Sequence, residues 1–178
     1  ALTWRLALID SATSSLDILT YLWYPDVSGE LILERAIRAA QRGVRVRLVV
    51  DDLMTMGQDP ALANIQALPN IELRLFNPWK QRNLGSRAGE MIAEMERLNS
   101  RMHDKLIIVD GRATVLGGRN IGDHYFGLNE NYQFHDLDVL AIGALAADAN
   151  GMFDEFWNSE WLASAEQLTT EPDPEKAL

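Results

Sequence analysis

Three runs of β-forming residues alternate with two helical segments in the first half of this chain. The runs cover residues 16–24, 44–51 and 71–76, and residues 29–41 and 59–68 carry apolar side chains at helical spacing. Strand–helix–strand units of this kind connect by right-handed crossovers, which makes their strands parallel. The order therefore predicts an α/β fold with a mixed, largely parallel sheet flanked by helices on both faces.

The rest of the chain is predicted to extend the same domain. Its expected elements are helices at 2–15, 88–100, 120–126 and 144–161, a hairpin of 105–109 with 113–116, and a strand at 137–142. We place one domain at residues 1–162. Residues 163–178 are polar, contain two prolines, and are predicted to form a disordered linker or tail.

Composition and charge narrow the class of protein. A hydrophobic content of 47% with 24% charged residues is typical of a globular domain, and no apolar run is long enough to span a membrane. The net charge of −10 disfavours nucleic acid as a partner, because such a surface repels phosphate backbones. The arginines between residues 35 and 47 are interpreted as a solvated helix face and strand edge.

The most informative short motif is His103-Asp104-Lys105, followed by Asp110 after four apolar residues. Side chains alternate across a strand, so His103 and Lys105 are expected to point the same way at the strand's start. An imidazole can attack phosphorus while an ammonium group neutralises charge on a non-bridging oxygen. The pair therefore indicates chemistry on a phosphodiester.

This motif, followed by Gly117-Gly118-Arg119-Asn120, resembles the signature of the phospholipase D superfamily. The longer run at 117–126 and the segment 136–139 are similar to bacterial cardiolipin synthases and their phospholipase D-like relatives. The resemblance implies transfer or hydrolysis at a phospholipid phosphodiester through a phosphohistidine. It also implies a bacterial enzyme that is cytoplasmic or peripheral to the inner membrane.

The chain departs from that family pattern in carrying one such motif, since neither His124 nor His135 is followed by Lys two residues on. Family members build a site from two motifs. We therefore expect half of an active site, completed by a second half of the same parent chain. The alternatives are a homodimeric single-motif phosphodiesterase or nuclease, and a non-catalytic half that only scaffolds its partner.

By this resemblance the catalytic residues are His103, Lys105, Asp110, Asn120 and Asp136, and the phosphate-binding residues are Lys105, Gly117, Gly118 and Asn120. Asp110 also heads a tight turn, which favours a structural role. Asn120 suits a helix cap as well as a phosphate donor. Asp136, or Asp138 two residues later, is expected to orient the His103 imidazole.

No cofactor or metal is expected. Asp51-Asp52 lies at a strand end, where α/β folds place ligands. The superfamily's chemistry, however, needs no metal. The expected partners are a phospholipid substrate, a second half, and a membrane surface in peripheral contact.

Overall fold

The computed structural model describes residues 1–55, 58–80 and 92–167. The seven strands are β1 Ser15–Thr20, β2 Arg45–Asp51, β3 Ile71–Phe76, β4 Leu106–Val109, β5 Ala113–Gly117, β6 Asp138–Ile142 and β7 Leu162–Ser164. The helices are α1 Leu2–Asp10, α2 Val27–Gln41, α3 Asp59–Gln66, α4 Met95–Asn99, α5 Asp123–Phe126 and α6 Ala144–Trp157. Short 3₁₀ turns follow β2 and β7.

All seven strands form one mixed sheet in the order β6-β5-β4-β1-β2-β3-β7. Pairing is parallel in β1–β2 and β2–β3, and antiparallel in the other four pairs. The α/β class is confirmed, and the parallel part consists of β1, β2 and β3, the strands that the crossovers predicted. Among the antiparallel pairs, β4 and β5 form a hairpin, whereas β5–β6, β1–β4 and β3–β7 join strands that longer stretches of chain with helices separate.

Helices cover both faces of the sheet, as predicted. On one face, α1, α2 and α3 enclose a core that includes Ile18 and Leu48. On the other face, α6 packs Phe153 and Trp157 against Val49. Successive strand residues alternate between these two cores, which explains the nearly continuous apolar runs in the sequence.

One arginine of the basic stretch differs from its predicted solvated position. Arg47 is buried beneath α6, where Nε is 2.6 Å from Asp17 Oδ1 and Nη1 is 2.7 Å from Asp154 Oδ1. Its guanidinium also lies over the Phe153 ring, 4.7 Å from the centroid. Arg47 sits on a central strand, so its side chain points into a core rather than to solvent.

The described fold continues past residue 162. Leu162 pairs with Phe76, and Ala165 is buried in the main core. Residues 163–167 therefore belong to the domain rather than to a tail, while residues 168–178 lie outside the described part. Within the described residues, no helix has both the length and the apolar content needed to cross a membrane.

Candidate active site

The His-x-Lys motif lies at the carboxyl edge of the sheet, defined as the edge where β1, β2 and β3 end. β4 runs antiparallel to β1, with Leu106 opposite Leu19, so the start of β4 reaches this edge. Residues 101–105 form an irregular segment, and the strand begins only at Leu106. The prediction that the motif itself starts the strand was wrong by a few residues.

The side chains of His103 and Lys105 nevertheless meet at one ring. The His103 imidazole packs on Tyr21, with ring centroids 4.3 Å apart, and Lys105 Nζ is 5.6 Å from the Tyr21 centroid. Lys105 Nζ also donates a hydrogen bond to the backbone carbonyl of His103. His103 is solvent-exposed and Lys105 is half-buried. An imidazole and an ammonium group therefore share one accessible wall.

The environment of Lys105 favours binding of an anion. Burial lowers the pKa of Lys105, and the nearby carboxylates of Asp104 and Asp136 oppose this shift without cancelling it. A phosphate oxygen at the ammonium group would further stabilise its charged form. The partly desolvated cation is thus suited to a substrate that brings negative charge with it.

A buried ion pair holds the start of the irregular segment at 101–105. Asp51, at the end of β2, accepts hydrogen bonds from the backbone N–H groups of Leu53 at 2.8 Å and Met102 at 3.3 Å. It also pairs with Arg101 Nη1 at 3.0 Å. Burial raises the pKa of Asp51, although the Leu53 N–H and the Arg101 guanidinium partly oppose this. Asp51 therefore anchors the residue next to His103.

Sequence reasoning missed the roles of Tyr21, Asp51 and Arg101. Tyr21 follows β1. Its pKa is raised mainly by burial and also by the nearby charge of Asp51, so the phenol stays neutral. Its contact with His103 depends on the antiparallel β1–β4 pairing, which no local pattern reveals. Asp51 carried a signal, since it is an acidic residue at the carboxyl end of a strand. We had weighed that residue only as a possible metal ligand.

Gly117 and Gly118 are predicted to bind phosphate, but their backbone N–H groups already donate hydrogen bonds within the sheet. Gly117 N–H donates to the Lys105 carbonyl at 3.2 Å, and Gly118 N–H donates to the Leu137 carbonyl at 3.1 Å. Both donors are used where β5 joins its two neighbours. Glycine is needed here for space instead: a Cβ at Gly117 would lie 2.3 Å from the Leu137 carbonyl oxygen, and one at Gly118 would lie 2.0 Å from Asp136 Oδ1.

Asp136 lies beside the site without bonding to the histidine. It is exposed, its carboxylate lies against Gly118, and it accepts the backbone N–H of Leu137 at 2.9 Å. No hydrogen bond joins Asp136 to His103 within the described part of the chain. Its orienting role therefore stays a prediction, while its charge does act on Lys105.

The alternative carboxylate, Asp138, is committed to the scaffold. It pairs with Arg5 Nη2 at 3.0 Å and with Arg119 Nη1 at 2.6 Å. Burial alone would raise the pKa of Asp138, but these two guanidinium groups bring it below its ordinary value. Asp138 therefore joins β6 to α1 and does not serve His103.

Asn120 is 5% exposed and bridges two loops at the same edge. Its Oδ1 accepts the Leu22 N–H at 3.1 Å, and its Nδ2 donates to the Tyr125 hydroxyl at 2.8 Å. The following helix begins at Asp123, so Asn120 is not its cap. Donation to a phosphate oxygen by the second Nδ2 hydrogen stays a prediction.

Asp110 does not belong to the site, which corrects its place among the predicted catalytic residues. The four residues of β4 separate it from Lys105, and about 20 Å of extended chain separates it from His103. Its carboxylate accepts hydrogen bonds from the backbone N–H groups of Thr13, Ser14 and Ser15 at 2.7–3.2 Å. Burial alone would raise the pKa of Asp110, but these bonds hold it far below its usual range. The structural role weighed for this residue is the one it fills.

Comparison with known proteins identifies what this architecture resembles. A protein-family model described as "Cardiolipin synthase, PLD-like domain" matches residues 6–157. Cardiolipin synthase C of Escherichia coli K12 is 43% identical over 173 residues, which is 97% of this chain and 36% of that protein. The chain thus spans about a third of the length of this relative.

Solved structures share the fold at low sequence identity. The phospholipase D family member Nuc from Salmonella typhimurium matches with a TM-score of 0.59 and 22% identity, covering 91% of this chain and 88% of that one. Phosphatidylserine synthase from Haemophilus influenzae matches with a TM-score of 0.69 and 15% identity, covering 99% and 38%. These likenesses establish the architecture of the chain.

Proposed function

Because this chain belongs to the phospholipase D-like domain family of cardiolipin synthases, we propose that it supplies half of a site for phosphodiester transfer on phospholipids. The observation that carries the proposal is the shared wall at Tyr21, where an accessible His103 lies beside the ammonium group of Lys105. Nucleophile or acid–base chemistry and charge neutralisation are the two functions that displacement at phosphorus requires.

The proposed reaction has two steps and uses two histidines, one as the nucleophile and one as the acid and base. In the first step one imidazole forms an N–P bond while the P–O bond to the leaving alcohol breaks, and the other imidazole protonates that alcohol. In the second step the other imidazole removes a proton from the incoming alcohol, whose oxygen displaces the phosphohistidine nitrogen. Lys105 neutralises a non-bridging oxygen throughout. His103 fills one of the two places.

The acceptor we favour is a lipid alcohol, such as the glycerol head group of phosphatidylglycerol, with a cardiolipin-like product. The 43% identity to a protein named cardiolipin synthase C supports this choice over water. A lipid substrate brings the carboxyl edge of the sheet to a membrane surface. We therefore infer peripheral membrane contact in a bacterial cell.

The reaction uses two His-x-Lys motifs, and this chain contains one. We infer that an equivalent second half of the full-length protein supplies the other. Relatives matched over about a third of their length leave ample chain for such a half. Two copies of this chain are the rival arrangement, since the solved Nuc chain is matched over 88% of its length and so is of similar size. In such a homodimer the substrate is another phosphodiester, including nucleic acid.

The edge strand β6 is the surface best suited to receive the second half. Among the described residues β6 pairs only with β5, so its other backbone edge is unpaired. Leu137 and Ile142 are each 76% exposed, and Val139 and Leu140 are about half exposed. An exposed apolar edge strand is an aggregation hazard unless another surface covers it. Because β6 begins beside Gly117, a partner here is also close to Lys105.

The proposed chemistry is tested by trapping the covalent intermediate. Full-length protein is mixed with a phospholipid whose phosphorus is labelled, quenched in alkaline denaturant because phosphohistidine is acid-labile, and digested for mass spectrometry. A phosphoryl adduct on the His103 peptide identifies the nucleophile, and an adduct on the second motif assigns His103 as the acid. Turnover without an adduct on either histidine contradicts the mechanism.

The partner surface is tested with a matched pair of lysine substitutions. Ile142→Lys on β6 is expected to lower turnover of the full-length protein at least about tenfold, because a charge in an apolar contact separates the two halves. Val27→Lys, at an exposed β-branched residue on α2, is expected to leave it unchanged. Full activity of Ile142→Lys, with unaltered hydrogen exchange along β6, would exclude this surface.

A further inference from the structure

A cavity of about 150 Å³ opens beside the proposed catalytic wall, between the sheet and helices α2 and α3. Strand residues Leu48, Val50 and Leu73 form its floor, and Leu33 and Ile65 form its sides. It lies at the carboxyl edge of the parallel strands, where α/β folds place their ligands. The mechanism above assigns it no role.

We propose that this cavity binds the first carbons of one acyl chain of the phospholipid undergoing transfer. The proposal rests on the proposed function and names how that substrate is held. Tyr21 connects the two sites, because it lines the cavity while its ring packs on His103 at 4.3 Å. In a phospholipid only the glycerol and an ester link separate phosphorus from the acyl carbons. A phosphate at Lys105 therefore places an acyl chain within reach of the cavity.

The walls favour hydrocarbon over a polar ligand because several polar groups around the cavity already have partners. Asp51 is paired with Arg101, and the Thr55 hydroxyl is bonded to Asp52. The indole N–H of Trp23 donates to the Gly29 carbonyl at 3.2 Å. The rest of the lining is mainly leucine, isoleucine, valine and aromatic carbon, and Glu30 and Gln58 add two polar side chains to it.

The size of the cavity sets a limit on what it holds. An apolar protein cavity of this volume accommodates a molecule the size of benzene, so about six carbons fit. Each buried methylene is expected to improve binding about fourfold. The kcat/KM should therefore rise from dibutyroyl to dihexanoyl phosphatidylglycerol and then level off at dioctanoyl, since later carbons lie outside.

A cavity-filling variant tests this assignment in the full-length protein. Ala61 is exposed on α3 at the cavity wall, whereas Ala67 is exposed at the end of α3 and does not line it. Ala61→Phe is expected to lower kcat/KM for dihexanoyl phosphatidylglycerol at least about tenfold, and Ala67→Phe to leave it unchanged. Hydrolysis of bis(4-nitrophenyl) phosphate, which has no acyl chain, should be equal in all three proteins.

The outcomes separate the cavity from the underlying function. Equal loss on both substrates, or no loss on either, in Ala61→Phe overturns the acyl-chain assignment. If wild-type protein is inactive on both substrates, the proposed function is overturned instead, and acyl-chain binding to the cavity is then tested by a binding measurement.

Dihexanoyl phosphatidylglycerol brominated on its acyl chains should quench tryptophan fluorescence in wild-type protein but much less in Trp23→Phe. Equal quenching in the two proteins rejects acyl binding here.

Discussion

The two ends of β4 carry residues of one short motif and serve opposite purposes. At the carboxyl edge of the sheet, His103 is exposed and its imidazole packs on the ring of Tyr21. At the other end, the Asp110 carboxylate accepts hydrogen bonds from the backbone of residues 13–15. A group that reacts must keep its polar atoms available, and a group that anchors must not. Membership of the motif alone does not separate these two roles.

The largest expected effect is at the reactive end. His103→Asn should lower turnover of the full-length protein about 10³-fold or more, because it removes the nucleophile or proton carrier. Its free energy of unfolding should change by less than about 0.5 kcal/mol, since the side chain is exposed. Rates of lipid turnover and urea unfolding measure the two quantities.

His135→Asn is the matched control, because His135 is also exposed but lies outside the motif. It should keep wild-type turnover. A wild-type rate in His103→Asn would instead favour the reading in which this half only scaffolds its partner.

The anchoring end should show the reverse pattern. Asp110→Asn keeps a residue that tolerates the positive φ of 53° but removes the charge that five donors surround. We expect the free energy of unfolding to fall by about 2 kcal/mol at pH 7, allowing for solvent screening at this turn, with turnover within about twofold. Chemical denaturation measures the first quantity and lipid turnover the second.

The pH dependence of that difference has a definite sign. The pKa of Asp110 in the folded state is far below its unfolded value of about 3.9, so its contribution is complete above about pH 5 and is lost as the pH falls. The gap between wild type and Asp110→Asn should therefore narrow in acid. A gap that is constant down to pH 3 would contradict the carboxylate anchor.

The smallest expected effect distinguishes two adjacent glycines at the reactive end. A Cβ at Gly117 meets the Leu137 backbone carbonyl, which cannot move without disturbing β6, so Gly117→Ala should cost about 2 kcal/mol of stability. A Cβ at Gly118 meets the exposed Asp136 side chain, which can rotate away, so Gly118→Ala should cost less than about 0.5 kcal/mol. Thermal unfolding compares them directly, and equal losses would mean that Asp136 is fixed in place.

Sequence patterns located most of the fold because most of its elements carry a local signal. The predicted strand at 71–76 coincides with β3, and the Asp110-Gly111 turn does join two antiparallel strands. The overall share of parallel pairing was overestimated, because strand order across a sheet depends on long-range packing. The strand β7 was missed because its three residues are too few to show a periodic pattern.

The site was predicted less completely than the fold. The pairing of His103 with Lys105 followed from spacing and resemblance, and both side chains do meet at one ring. The ring itself belongs to Tyr21, more than 80 residues earlier in the chain. The glycine N–H groups were assigned to phosphate because sequence cannot show that sheet pairing already uses them.

The ion pair of Asp51 with Arg101 limits how much of the backbone around His103 is free to move. The irregular segment at 101–105 is fastened at its start through the Met102 N–H and at its finish by the first rung of β4. Lys105 is also held, because its carbonyl accepts the Gly117 N–H at 3.2 Å, so only His103 and Asp104 lie between attached residues. The backbone on both sides of the imidazole is therefore fixed by the sheet and the Asp51 carboxylate, so substrate binding requires the ordering of very little chain.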